Sequence, residues 1–295
     1  MTNTSESNEP ILLVVNPISG DLDKTNLIRR VEQTLRPHHP LKIYITTGSD
    51  DRDRITDLLN TFPACRVLVA GGDGTIKLMA EVLRDQKIPL GILPTGSANG
   101  LARSLRIPDD LEDALRVALG NCFQDTDALC INNELCLHIS DLGLNAELIR
   151  HYERGSVRGK LGYALQTIPT LMDTDMPFTF DVTVDQGRCS KQGILLALAN
   201  AQKYGTGATI NPEGKIDDGK FEVLVFKKLD MLEIAKTLQE DVELDDDFAE
   251  SVSTTHAVVR CQQPVPFQID GEYFGEVQHL DVSILPQHLK IAVPE

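Results

Sequence analysis

Positive charge is scarce in this chain. Its 28 lysines and arginines stand against 44 aspartates and glutamates, giving a net charge of −16 and an isoelectric point near 4.8. That balance excludes a nucleic-acid partner, because phosphate backbones are held by basic surface. Anionic membranes are repelled on average for the same reason. Long apolar runs are also missing, and none reaches the ~18 residues of a membrane span. Residues 1–9 are polar, without the hydrophobic core of a signal peptide, and read as a disordered arm. The six cysteines include no C-x-x-C pair, which argues against zinc. They read instead as small buried apolar side chains in a reducing compartment. No internal repeat or low-complexity tract is evident.

What is present is an alternation of short apolar runs with amphipathic stretches. At 295 residues and 41% apolar composition, one or two domains with real cores are expected. Strands are expected at 11–16, 41–46, 65–70 and 89–93. Between them, Leu27, Ile28, Val31 and Leu35 mark one helix face, and Ile55, Leu58 and Leu59 a shorter one. A helix after Pro108 carries Leu111, Ala114, Leu115, Ala118 and Leu119 on one side. Right-handed βαβ connections make this an α/β, doubly wound domain over 1–128. From 129 to 295 the character is β. Phe178–Asp185 alternates cleanly, Phe221, Val223 and Val225 repeat the pattern, and Asn132-Asn133 and Gln186-Gly187 read as hairpin turns. One helix should interrupt, capped by Asp230 and Glu233 and burying Met231, Ile234, Ala235 and Leu238. A last strand at about 285–295 is free to return to the first domain.

Three strand ends carry small polar residues and glycine. Val67–Ala70 stops at Gly71-Gly72-Asp73-Gly74-Thr75, after which Ile76, Met79, Ala80 and Leu83 follow helical spacing. Glycines admit an anion to the backbone, and the first helix amides bind it. Asp73 stands where a carboxylate can hold Mg²⁺, a cation that takes oxygen ligands. An isolated Gly-Gly-Asp-Gly is equally well a tight turn. About twenty residues on, Leu90–Leu93 runs into Pro94-Thr95-Gly96-Ser97-Ala98-Asn99-Gly100, with a helix expected to start near Ser97. Ser97 and Asn99 suit either helix capping or a ribose or phosphate, and residue type does not separate these roles. The third end is Ile11–Val15 followed by Asn16-Pro17-Ile18-Ser19-Gly20. Together they predict a crevice at the carboxyl edge of a parallel sheet.

In this order the three segments resemble the diacylglycerol kinase catalytic-domain family, which includes bacterial soluble lipid kinases and is related to sphingosine and ceramide kinases and distantly to NAD kinases. Asp127, the segment Asp141–Glu147, Asp217-Asp218-Gly219 and Asp270-Gly271-Glu272 extend the resemblance over residues 10 to 293. It implies a nucleotide-binding domain followed by a β-sandwich-like lipid-substrate domain. It also implies an ATP-dependent lipid kinase that phosphorylates a diacylglycerol-like or sphingoid hydroxyl, using Mg²⁺. Such an enzyme is expected in the cytoplasm, touching the membrane surface transiently and peripherally; a homodimer is compatible with it. A basic patch at Arg150, His151, Arg154, Arg158 and Lys160 would serve that contact, or is simply a solvated helix face. The acidic stretch Glu240–Asp247 reads as a solvated loop.

The resemblance also assigns roles. Gly71, Gly72, Gly74 and Thr75 form the phosphate cradle, and Asn16, Pro17, Ser19, Gly20, Thr46, Ser97 and Asn99 line the nucleotide. The chain has no Gly-x-x-x-x-Gly-Lys-Ser/Thr. Charge neutralisation then falls to Mg²⁺ and backbone dipoles, with Asp73 and Asp127 near the metal. Glu272 is expected to accept the hydroxyl proton and Asp270 to support the network, with the roles of the two open to exchange. On a common strand their side chains would share a face. Asp218, with the carbonyls of Lys215 and Lys220, is expected to hold a structural Mg²⁺; an Asp-Gly turn is the plainer alternative. Two positions depart from the family pattern. Gly100 replaces a usual aspartate, leaving the metal network one ligand short, and Asp21 stands where bacterial relatives often have a basic residue. Asp21 favours a neutral or cationic acceptor over an anionic phosphatidyl one. A soluble nucleotide or polyol kinase, or a nucleotide-binding regulator without turnover, remain as alternatives.

Overall fold

The computed structural model describes residues 9–20, 23–84, 86–154, 177–202, 209–228, 230, 245 and 247–295. The chain divides into unit 1, residues 1–126 with 287–295, and unit 2, residues 127–286. The expected helix over 231–238, Asp21 and most of the acidic stretch 240–247 lie outside the described residues, as do residues 1–8 of the polar arm. No described helix is long and apolar enough to cross a membrane.

Unit 1 is a doubly wound α/β layer. Its strands are β1 (Ile11–Val15), β2 (Leu41–Ile45), β3 (Arg66–Gly71) and β4 (Leu90–Pro94). Between them run α1 (Lys24–Leu35), α2 (Asp51–Thr61) and α3 (Asp73–Val82). After β4 come α4 (Gly100–Ser104), α5 (Leu111–Leu119) and β5 (Phe123–Ile131), which passes into unit 2. The parallel order is β4-β3-β1-β2, with Leu68 opposite both Leu13 and Gly91. β1, β3 and β4 are buried along their whole length, because helices cover both faces. Helix faces follow the apolar spacing: Leu27, Val31 and Leu35 of α1, Ile76, Met79 and Ala80 of α3, and Ala114, Leu115 and Ala118 of α5 are buried. The end of the last strand, which runs to Ala292, adds a parallel neighbour to β4 through Ile291 and Leu90.

The described strand pairs of unit 2 are antiparallel. It holds β6 (Glu134–Cys136), β7 (Ile139–Gly143), α6 (Leu144–Arg154), β8 (Phe178–Val184), β9 (Gly187–Gly193) and β10 (Leu195–Ala199). β11 (Phe221–Phe226), β12 (Ala249–Thr254), β13 (His256–Ile269) and β14 (Glu272–Ala292) follow. β13 serves two layers: residues 257–261 pair with β8, and residues 267–269 pair with β7. A register shift between Arg260 and Val265 bends it. Leu196, Leu198, Val223 and Val225 point into the sandwich core with Phe180, Val259 and Phe267. Ala197, Ala199, Leu224 and Phe226 point the other way into a second cluster with Phe248. Burial on both faces explains the unbroken apolar run of β10. Of the six cysteines only Cys136 is buried; Cys65 is exposed and the others are half-buried. Cys136 lies in the sandwich core with Cys189 and Cys261 packed against it, as expected of small apolar side chains, and the expectation of burial fails at exposed Cys65.

Candidate nucleotide and phosphoryl-transfer site

The three loops at the carboxyl ends of β1, β3 and β4 interlock within unit 1. Asn16 continues β1 and donates its amide to the Ala70 carbonyl at 2.9 Å. Its Nδ2 donates to Thr75 Oγ1 at 3.1 Å, while its Oδ1 accepts the Ile18 amide and so shapes the Pro17-Ile18 turn. Ser19 Oγ lies 3.1 Å from Thr95 Oγ1. Gly20 has φ +57°, and a Cβ there would stand 2.4 Å from the Thr95 carbonyl oxygen. Gly96 is equally confined, since its Cβ would stand 2.5 Å from Gly72 Cα. Glycine is therefore required twice over, for backbone conformation and for loop-on-loop contact.

α3 begins at Asp73, and Gly72 before it supplies no side-chain cap. The first amides of this helix therefore get no acceptor from their own N-cap residue. Asp73 points elsewhere. Its Oδ2 accepts the Gly100 amide at 2.9 Å and its Oδ1 the Leu101 amide at 3.0 Å. The carboxylate expected at the metal caps the first turn of α4. That helix starts at Gly100 rather than near Ser97, because Asn99 takes the left-handed conformation, φ +52°. Asn99 caps no helix amide. Its side chain closes a ring on Gly96, accepting that amide at 2.8 Å and donating to that carbonyl at 3.0 Å. Ser97 is exposed at the loop tip. Gly100 meets Asp73 through its backbone amide.

Thr46 is buried at the end of β2, its amide on the Val15 carbonyl at 2.9 Å. The next turn is organised by Asp51, which the sequence reading passed over. Asp51 accepts the amides of Thr47 and Gly48 and the Tyr44 hydroxyl. Burial alone would raise its pKa, but these donors outweigh it and hold the carboxyl below its ordinary value. Lys24, also unforeseen, is buried in the first turn of α1. Its Nζ donates to the Ser19 carbonyl at 2.6 Å and the Thr95 carbonyl at 3.3 Å.

The remaining predicted residues belong to unit 2. Asp270 and Gly271, with φ +52° and +89°, form a two-residue hairpin turn between Ile269 and Glu272. This replaces the expectation that Asp270 and Glu272 share a strand face: Asp270 is in the turn and Glu272 opens β14. Asp270 accepts the amides of Leu137 at 3.0 Å and His138 at 2.9 Å, and the Cys136 thiol at 3.4 Å. It anchors the hairpin, whereas Glu272 is exposed. Beside it, Gln268 donates to fully buried Asp141 at 2.6 Å, and Asn145 donates to the same oxygen at 2.7 Å. Asp127 is buried, and its Oδ2 accepts the Gly219 amide at 2.6 Å while its own amide donates to the Ile216 carbonyl. The structure thus joins Asp127 to the Lys215–Lys220 loop. Asp218 lies in that loop, is exposed, and accepts the Lys220 amide at 3.1 Å.

Among the described residues no group of three or more His, Cys, Asp or Glu side chains gathers as a ready cation site. Of the expected basic patch, Arg150 is engaged by Glu147 and, at 3.3 Å, by Glu276. The side chains of His151 and Arg154, and all of Arg158 and Lys160, lie outside the described residues.

Known proteins agree with this architecture. Residues 10–131 match the family model "Diacylglycerol kinase catalytic domain", and residues 139–293 match "YegS C-terminal NAD kinase beta sandwich-like domain". A protein of Chromohalobacter salexigens named "Probable lipid kinase YegS-like" is 26% identical over 96% of this chain and 93% of its own length. "Lipid kinase YegS" of Escherichia coli K12 is 27% identical over 96% and 95%. A crystal structure of a diacylglycerol kinase from Bacillus anthracis str. Sterne shares the fold with TM-score 0.75 at 18% identity, covering 97% of each chain. A second, "Crystal structure of a putative diacylglycerol kinase from Bacillus anthracis str. Sterne", reaches TM-score 0.79 at 22% identity, covering 100% of this chain and 98% of its own. With residues 10–131 and 139–293 matched in that order, the chain belongs to the diacylglycerol kinase catalytic-domain family, in the form that carries a YegS-type C-terminal domain.

Proposed function

We propose that this chain transfers the γ-phosphoryl group of ATP to the hydroxyl of a diacylglycerol-like or sphingoid lipid at a membrane surface. The observation that carries the reading is the interlocked cradle, where Gly72 and Gly96 pack without side chains against an uncapped helix start. Phosphoryl transfer asks chiefly for positioning and charge stabilisation, which backbone amides supply without reorganising. Gly71, Gly72, Gly74 and Thr75 hold the phosphates. Asn16 and Ser19 keep the first loop against the other two.

Mg²⁺, when bound, neutralises phosphate charge. Asp73 is the carboxylate we assign to it in unit 1, and Asp218 with the Lys215 and Lys220 carbonyls is assigned to a second, structural ion in unit 2. Their all-oxygen donor chemistry suits a hard cation. Each carboxylate spends acceptor capacity on backbone amides, and about four lone-pair sites per carboxylate leave room for more. Glu272, exposed at the start of β14, is the proton acceptor for the lipid hydroxyl. Asp270 holds its turn.

Ile18, 88% exposed at the tip of the first loop, offers an apolar contact for a lipid surface that the acidic average charge does not. The test is incubation with labelled ATP, Mg²⁺ and a mixed lipid extract, followed by identification of the labelled product. A phosphorylated lipid is expected. Label appearing only in soluble nucleotides or polyols, or in no acceptor, overturns the lipid assignment.

A further inference from the structure

We propose that Lys24 is the positioning residue of the phosphate cradle, locking the 16–20 turn to the Pro94–Gly96 turn and setting a fixed positive charge behind the bound phosphates. This rests on the nucleotide reading above. Lysine is rarely buried without a partner of opposite charge. Lys24 is only 7% exposed, in a chain with 44 acidic residues, yet its described partners are two backbone carbonyls and no carboxylate. The nearest acid in sequence, Asp23, turns away to cap α1 by accepting the Thr25 amide at 2.9 Å.

Among the described residues this buried ammonium faces carbonyl dipoles and no carboxylate, and burial lowers its pKa. An anion seated on the same loops would face this positive charge. The two carbonyls belong to Ser19 and Thr95, whose side chains also meet, so one cation fixes both turns at their contact. An ammonium has three donors, and the described partners use two. A lysine from the helix after β1 thus stands in for the missing Gly-x-x-x-x-Gly-Lys-Ser/Thr lysine, reached from a different loop.

The charge and the clamp are separable. Lys24→Met removes both, Lys24→Gln keeps a donor without charge, and Lys24→Arg keeps charge with altered geometry. Titration calorimetry with Mg·ATP, Mg·ADP and AMP on wild type and variants, with thermal melts and initial rates alongside, reads the two roles. The expected result for Lys24→Met is a loss in ATP affinity on the order of 10- to 100-fold, the range of a lost charge-assisted contact. ADP should lose less and AMP least, and KM for ATP should rise more than kcat falls. Lys24→Gln, which keeps a donor for the clamp, should bind ATP between Lys24→Met and wild type, and Lys24→Arg should recover most of the affinity. Equal losses for ATP and AMP, or losses that track only the melting temperature, overturn the role. So does Lys24→Arg binding no better than Lys24→Met. A wild type that binds no nucleotide overturns the kinase reading itself and this role with it.

Discussion

Asp73→Asn should cost this protein both stability and turnover, and the structure separates the two. The carboxylate accepts one amide at each oxygen, Gly100 at 2.9 Å and Leu101 at 3.0 Å. Asparagine keeps one acceptor and turns a donor toward the other amide, so one charge-assisted bond is lost and a donor faces a donor. Losing a charged cap of this kind costs about 1–2 kcal/mol. For a domain of this size, that lowers the melting temperature by roughly 3–8 °C. The change is nearly isosteric, so no cavity term is added. Thermal and urea unfolding measure this arm; single-turnover phosphorylation at saturating Mg²⁺ measures the other. Asp73→Ser, which keeps a short acceptor at the cap but no charge, should regain part of the stability and none of the turnover. A melting temperature within about 1 °C of wild type in Asp73→Asn would refute the capping argument. Wild-type turnover would refute the metal role while leaving the cap standing.

Gly96→Ala places a Cβ 2.5 Å from Gly72 Cα, so the loops must part; nucleotide affinity by calorimetry should fall at least about tenfold with the circular dichroism of the fold retained. Glu272→Gln should slow the chemical step by about 10²–10⁴-fold with unchanged nucleotide affinity, the scale of general-base catalysis, and undiminished single-turnover rates would move the base elsewhere. The pH dependence follows from Asp51 and Glu250. Asp51 is lowered because its amide and hydroxyl donors outweigh burial, and Glu250 because Lys191 and Lys227 bind it. A carboxyl depressed in the fold gives stability that is present above its unfolded pKa and lost as pH falls through the folded one. Urea unfolding from pH 7 to 3 should therefore lose stability below about pH 4, and Asp51→Asn should flatten that limb; an unchanged limb would show that the donors do not act on Asp51.

Periodicity made the α/β half legible because each signal is local. Leu27, Val31 and Leu35 share a face by spacing alone, and β1, β3 and β4 announce themselves as apolar runs stopped by glycine or proline. The sandwich half was legible where one face is wet, as in Phe178–Val184, whose burial alternates. What the chain did not disclose was partnership. Asp73 meets the amides of Gly100 and Leu101 across 27 and 28 positions, and Lys24 meets Thr95 across 71. No window on the sequence contains both ends of such a contact.

Residue type also underdetermined direction. An asparagine before a helix suits a cap, yet Asn99 at φ +52° turns its amide onto Gly96, and the capping falls to an aspartate from another loop. The Asp-Gly-Glu segment likewise had two readings, strand or turn, and the turn divides its acids. Asp270 is held by two backbone amides and a thiol while Glu272 is left exposed. The oxygens of Asp270 are turned inward to hold the hairpin, while those of Glu272 face outward. Spacing puts the two acids two positions apart, but only the turn, with Asp270 at φ +52° and Gly271 at +89°, sends them to different surroundings.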